Sequence, residues 1–437
     1  MIDVVELFAG VGGFRLGLEG YKKADSIFYS CMSNYSAEIE QANYFNTILS
    51  NQFEPGSKSQ LASKVYRKRF GDIGHYNVDI NNLSADDILY CQDKYGKKER
   101  PLMIVGGFPC QDYSVGTLLK NAKGLKGVKG VLWWEINRLL VELNNIGKVP
   151  KYLLFENVDR LLKSPVSSRG SDFATILFCL RKLGYTVEYQ CINAAEIGFV
   201  QKRRRVFILA YFGSPRGLLR DAFNFSEVTP GKEFEIPDYK ISKANIARLQ
   251  KKFVGMKKSP FLNGGLMFDG KVLPFNAGIS KGSEKLQFAD VRVDEANEHI
   301  FPLLVQDQDL VQWKEVKDGK RFKRYKPDGS PYFWSEGSME LFQKDDEPLR
   351  TIITSEGGVS ALRTRHLIKL EKPLYGCNYR ILHPLELERA NMFPDNFTQI
   401  NGITTKKVGF LMGNALVIGI VEKVRKCILQ YELNSYP

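Results

Sequence analysis

The chain predicts an α/β fold: a parallel sheet with helices on both faces, joined to a smaller and less regular domain. Two observations carry this. Across the first 213 residues short apolar runs alternate with amphipathic, helix-like runs, and from about residue 214 that alternation is lost until about 377. In order, "IDVVEL" reads as a strand, and the glycines after it lead into the helix-like "FRLGLEG". "PLMIVGG" is a second clear strand, followed by a loop and the helix-like "VLWWEINRLLVEL". "YLLFENV" leads into "DFATILFCLRKLG", and "TVEYQCINA" leads towards "RVFILAYF". Residues 20–50 are less regular, and 20–43 reads as an inserted hairpin or helix. These boundaries give a first domain over 1–213 and a second over 214–376, with "KPDGSP" at 326–331 as an exposed turn. A C-terminal segment, 377–437, returns to the first domain through a glycine turn and a long helix.

Bulk properties narrow the class. A length of 437 residues suggests two or more domains, and 43% hydrophobic with 25% charged residues is ordinary for a soluble globular protein. The cysteines (Cys31, Cys91, Cys110, Cys179, Cys191, Cys377 and Cys427) form no CxxC pair. Such a scattered set reads as reduced thiols in the cytoplasm. "MIDVVELFAG" opens on a strand pattern without the basic and apolar regions of a signal peptide, and no apolar run approaches the roughly 20 residues of a membrane span. No metal site is expected. The formal charge of +13 favours a polyanionic partner, against the plainer reading of a surface kept basic for solubility.

The unusual clusters fall at 10–13, 106–112 and 156–158, all at strand ends, where ligands sit in open α/β sheets. "ELFAGVGGFRLGL" places Gly10, Gly12 and Gly13 between strand and helix, where a cofactor can approach the backbone or a turn can simply pack. In "GGFPCQDYS" a proline stiffens the turn before Cys110 and presents its thiol in a defined direction. That thiol is a nucleophile if its pKa is lowered and it is accessible; otherwise it is an inert buried cysteine. Glu156, at the end of "LLFENV", can carry a raised pKa and donate a proton, with Asn157 holding it by a hydrogen bond. In "QKRRRVF" a period of two sends Arg203 and Arg205 to one side, two guanidiniums suited to phosphate or a carbonyl oxygen; the alternative is a solvated basic edge.

Taken together, "FAGVGGFRLGL", "GGFPCQDYS", "FENV", "QKRRRVF", "RILHPLELERANMFPD" and "GNALV" resemble the ordered motif series of the DNA cytosine-5 methyltransferase family, of the bacterial or phage restriction-modification type. The resemblance covers about 1–213 and 377–437. It implies a Rossmann-like, S-adenosylmethionine-dependent methyltransferase sheet, with 214–376 as a target-recognition domain that reads base edges in the major groove. It also implies that Cys110 attacks C6 of a cytosine flipped out of double-stranded DNA, while Glu156 protonates or hydrogen-bonds N3. Asn157 would support Glu156, and Arg203 and Arg205 would hold the flipped nucleotide and the catalytic loop. Residues 111–130, with Gln111 and Ser114 at the DNA, would form a closing loop; Gln201 is likewise expected at the DNA. Phe8, Ala9, Gly10, Val11, Gly12 and Gly13 match the methionine-side cofactor loop, with Pro109 beside the cofactor. Asp79 and Ile80 match its adenine contact, and Asn414 and Ala415 would close the site.

The chain departs from the pattern in three places. Glu6 stands where aspartate is common, and Val200 replaces a proline. In "SNQFEP" Gln52 occupies the position of the ribose-binding acid, so either Gln52 or Glu54 contacts the ribose and Phe53 stacks on adenine. Other classes fit less well. An RNA cytosine methyltransferase would share the motifs but not need so large a second domain. An amino-group methyltransferase would carry a Pro-Pro-aromatic signature where "GFPCQ" stands, and a dehydrogenase would leave "PCQ" and "QKRRR" without a task. A silent DNA-binding relative would have lost Cys110 or Glu156. The resemblance further implies a monomer in the cytoplasm at the nucleoid, possessing or lacking a cognate restriction endonuclease.

Overall fold

The computed structural model describes residues 1–20, 44–108, 131–279, 285–296, 299–319, 321–325, 329–335 and 337–434. Its first strands are β1 (Ile2–Leu7), β2 (Phe45–Asn51), β3 (His75–Tyr76), β4 (Leu102–Gly106), β5 (Tyr152–Val158) and β6 (Thr186–Asn193). The short β7 (Gln201–Lys202) precedes β8 (Arg204–Tyr211), and β9 (Phe225–Pro230), β10 (Phe234–Glu235), β11 (Gly264–Phe268) and β12 (Lys271–Ile279) follow. All but β7 join one eleven-stranded sheet of order β10-β12-β11-β6-β8-β5-β4-β1-β2-β3, with β9 on β12. From β3 to β5 every pairing is parallel. β8 then runs antiparallel to both β5 and β6, so β6 points the same way as the first five strands. The order reverses between β1 and β4, the place where open α/β sheets open a ligand crevice beyond their carboxyl ends.

Both sheet faces are covered, which is why the strands read as continuous apolar runs. In β1, Ile2 and Val4 face one core while Val5 and Leu7 face the other; in β5, Tyr152 and Leu154 oppose Leu153 and Phe155 in the same way. The first core takes helices Gly13–Glu19, Leu61–Phe70 and Ile418–Asn434, and the second takes Ala85–Tyr95, Val131–Asn145 and Ser171–Lys182.

Beyond residue 213 the sheet does not stop. β11 pairs with β6, and β9, β10 and β12 extend that edge, so 225–279 adds antiparallel strands to the first domain's sheet. Sequence reading places this stretch in the second domain because alternating strands and helices cease there; a meander of antiparallel strands lacks that signal. A separate small core forms later, from Val293, Ile300, Leu303, Val305, Trp313, Ala361, Leu367, Ile381 and Leu385. It surrounds β13 (Leu304–Val305), and a β14 (Arg321–Tyr325)–β15 (Pro331–Ser335) hairpin lies in the same part of the chain. Next, β16 (Leu349–Arg350) returns to pair with β7, and β17 (Ile368–Leu374) and β18 (Cys377–Arg380) complete a three-stranded sheet with β13. Residues 21–43 of the inserted stretch and 326–328 of the turn at 326–331 lie outside the described residues.

Candidate active site

β1, β2, β4 and β5 run parallel and side by side, so their carboxyl ends share one edge of the sheet. After β1 the chain turns through Phe8 (φ 53°), Gly10 (φ 58°) and Gly12 (φ 94°) into the helix that starts at Gly13. The Ala9 amide donates to the Asn51 carbonyl (2.9 Å) and the Gly12 amide to that of Ala9 (2.8 Å), which pins the loop to the end of β2. The Gly10 amide donates to Gln52 Oε1 (2.8 Å). The glycines have different tasks. A Cβ at Gly12 would strike Phe70 and Tyr66, and one at Gly13 would meet Leu416 at 3.1 Å; at Gly10 nothing lies within 4 Å. Gly12 and Gly13 serve packing, and Gly10 faces open space.

Beneath this loop sits a buried polar cluster. Glu6 is fully buried, accepts from the Arg15 amide (3.2 Å) and from the Tyr66 hydroxyl (3.0 Å), and so ties the first strand to the first turn of the helix. Burial pushes its carboxyl up to about 7, against the opposing pull of those two hydrogen bonds. Along the rim, Phe53 is 36% exposed, and the Glu54 carboxylate makes no hydrogen bond or ion pair among the described residues. Asp79 begins a short 3-10 turn by accepting from the Asn81 amide (3.0 Å), and Ile80 is buried in the second core. On the opposite side, helix Thr405–Asn414 ends at the exposed Asn414, and Ala415 follows, one residue before the Leu416 that packs on Gly13.

The second group lies where β4 and β5 end side by side. Glu156 is paired with Arg205, Oε1 to Nε at 2.9 Å, both side chains being mostly shielded. A Cβ at Gly107 would stand 3.4 Å from Glu156 Oε2. Asn157 is buried and donates to the Phe108 carbonyl (3.1 Å), while accepting from the Val158 amide (2.8 Å). The "ENV" segment therefore lies against Gly107 and anchors Phe108, immediately before Pro109 and Cys110. Those two residues, with Gln111 and Ser114, lie outside the described residues.

Three expectations need correction. Asn157 does not hold Glu156: alternation along β5 sends it to the other face, where it anchors Phe108, and Arg205 holds the acid instead. Arg203 and Arg205 do not share one face, because Arg203 lies in the break between β7 and β8. It is 3% exposed and donates to the carbonyls of Ile352 (3.3 Å) and Gly413 (3.1 Å). Gln201 is fully buried rather than exposed on the surface. Its amide donates to the Ala390 carbonyl and to Asn391 Oδ1, and its oxygen accepts from the Ile352 amide. Sequence reasoning missed the partners of these two residues. Only Gly409 and Gly413, spaced as G-x-x-x-G, marked a close backbone approach: Cβ atoms there would strike the main chain of Glu356 and of Ile353–Thr354.

A mostly one-directional sheet with a reversed β8 and a glycine loop after β1 give the chain the fold of the S-adenosylmethionine-dependent methyltransferases. The family model for C-5 cytosine-specific DNA methylase matches residues 2–430, and the chain belongs to that family. It is 37% identical to the Type II methyltransferase M.Sau3AI of Staphylococcus aureus, over 97% of this chain and 94% of that protein. It is 28% identical to the Type II methyltransferase M.NgoBI of Neisseria gonorrhoeae over 60% of this chain and 67% of that one. Among solved structures, the Dnmt2 methyltransferase of S. pombe shares the fold, with a TM-score of 0.58 at 16% identity over 99% of this chain and all of that one. The protein is a C-5 cytosine DNA methyltransferase of restriction-modification type.

Proposed function

We propose that the enzyme methylates C5 of a cytosine flipped out of a specific duplex sequence, through a covalent bond between Cys110 and C6. The observation that supports this is the pairing of Glu156 with Arg205 beside Gly107, with Asn157 gripping Phe108. That geometry ties the acid to the two residues that lead into Pro109 and Cys110.

The residues divide the work. The Cys110 thiolate adds to C6, and the ring electrons move towards C5 as Glu156 gives or shares a proton at N3. Arg205 keeps the Glu156 carboxyl aimed at the base, and Asn157 keeps the turn before Cys110 in register with it. C5 takes the methyl group, then loses its proton to a base while the electron pair expels the thiolate from C6. Extrusion of the base costs a few kcal/mol of stacking but is required, since C5 and C6 are hidden in the duplex.

The crevice suits S-adenosylmethionine, which supplies an electrophilic methyl group on sulfonium sulfur when bound. The open space at Gly10 lets its methionine end approach the loop of Phe8, Ala9, Val11, Gly12 and Gly13. Glu54, whose carboxylate has no partner among the described residues, is the better ribose ligand, because the Gln52 oxygen is already taken by Gly10. Phe53 stacks on adenine, Asp79 and Ile80 contact it, and Pro109, Asn414 and Ala415 close the site. Gln111 and Ser114 meet DNA. Residues 214–376 form the recognition side, 225–279 continuing the central sheet and the later part building on the small core. The enzyme acts as a monomer in the cytoplasm, at the nucleoid, with or without a cognate endonuclease. Among the described residues no helix is long and apolar enough to cross a membrane.

Incubating the enzyme with cofactor and duplex DNA containing 5-fluorocytosine tests the chemistry. A stable protein–DNA adduct is expected, since fluorine at C5 cannot leave as a proton does, and it should be absent in Cys110→Ser. An adduct that survives in the variant would refute the role of Cys110.

A further inference from the structure

We infer that Arg203, together with Asn391, is a positioning residue for the cofactor crevice: it holds the last turn of helix Thr405–Asn414 against the glycine loop. This rests on the reading of residues 8–13 and 414–415 as the cofactor site.

The last carbonyls of an α-helix have no partner within it. In this helix the Met412 carbonyl accepts from Asn391 Nδ2 (3.2 Å) and the Gly413 carbonyl from Arg203 Nη2 (3.1 Å). A guanidinium at that end also complements the negative pole of the helix. Arg203 Nη1 reaches the Ile352 carbonyl, Gln201 accepts from the Ile352 amide, and Gln201 donates to Asn391 Oδ1. The four residues thus close a buried ring of bonds around one helix end. Two residues past Asn414, Leu416 presses on Gly13, with its side chain 3.1 Å from the position of an added Cβ. Loosening the ring therefore shifts Asn414, Ala415 and Leu416 relative to the glycine loop. A guanidinium this deeply buried is spent on main-chain carbonyls, whereas Arg205, two residues on, meets the Glu156 carboxylate in the crevice.

The test measures S-adenosylhomocysteine binding by calorimetry with full-length enzyme and no DNA, for wild type, Arg203→Met, Arg203→Lys and Asn391→Ala. Thermal melts report folding, and DNA affinity is measured separately without cofactor. Arg203→Met should weaken cofactor binding about tenfold or more, Arg203→Lys less because one ammonium can still reach a carbonyl, and Asn391→Ala several-fold. DNA affinity should stay within about twofold. Should Arg203→Met not fold, the other two variants decide. Wild-type cofactor affinity in the folded variants, or a loss confined to DNA binding, overturns the inference. A wild-type enzyme that binds no S-adenosylhomocysteine would instead overturn the cofactor reading itself.

Discussion

Glu6 shows how a single position serves the crevice without entering it. Its carboxyl is fully buried and pushed up to about 7, so the folded protein keeps a proton that the unfolded chain releases from about 4.5. Between those values the folded state binds more protons, and stability falls as pH rises. The contribution is complete below about 4.5 and gone above about 7. Relative to Glu6→Gln, wild-type stability should therefore decline across that window by up to about 3 kcal/mol, as read from urea unfolding at stepped pH. A parallel pair of curves would show that burial does not set this proton. His75 works in the opposite sense: burial lowers it to about 4, so its contribution grows as pH rises from about 4 to about 6.5. The comparison must therefore use the variant pair, since the raw pH profile mixes both slopes.

Helix Thr405–Asn414 carries two glycines that propensity alone would count against it, each costing about 1 kcal/mol relative to alanine. Packing reverses that judgement. The main chain of 353–357 lies so close that a Cβ on Gly413 would sit 2.4 Å from Ile353 and Thr354 backbone atoms. Backbone cannot rotate aside as a side chain can. Gly413→Ala should thus destabilise the enzyme by about 1–3 kcal/mol despite its better helix propensity, measured by denaturant unfolding. Unchanged or raised stability would show that the strap yields. β5 offers the complementary lesson. Its apolar run was legible, and so were Glu156 and Asn157 at its end, but which face each side chain takes depends on where pairing with β4 and β8 sets the register.

Across the whole molecule the dominant quantity is charge. A net +13 on a DNA-acting enzyme makes phosphate neutralisation a large part of binding. Duplex affinity should fall about 10³-fold or more between 50 and 200 mM salt, given six or more phosphate contacts, in a fluorescence-anisotropy titration. A flat response would argue that the charge serves another purpose. The architecture fits this use: one sheet, extended to 279, supports the crevice, and a second small core supports the region that follows. The two meet at helix Pro384–Ala390, where Leu385 packs in the small core while Leu387 and Ala390 pack in the first.

The fold class, the glycine loop and the acid at the end of β5 were readable along the chain, because each depends on neighbours in sequence: an apolar run, a turn residue, a strand end. Gly10 faces the crevice while Gly12 packs, Arg205 rather than Asn157 holds Glu156, and Gln201 and Arg203 turn inward to residues 352, 391 and 413. These assignments came only with the folded chain. Hydrogen-bond partners 149 to 210 positions apart leave no trace in local pattern, and a buried arginine spells the same as one that meets substrate.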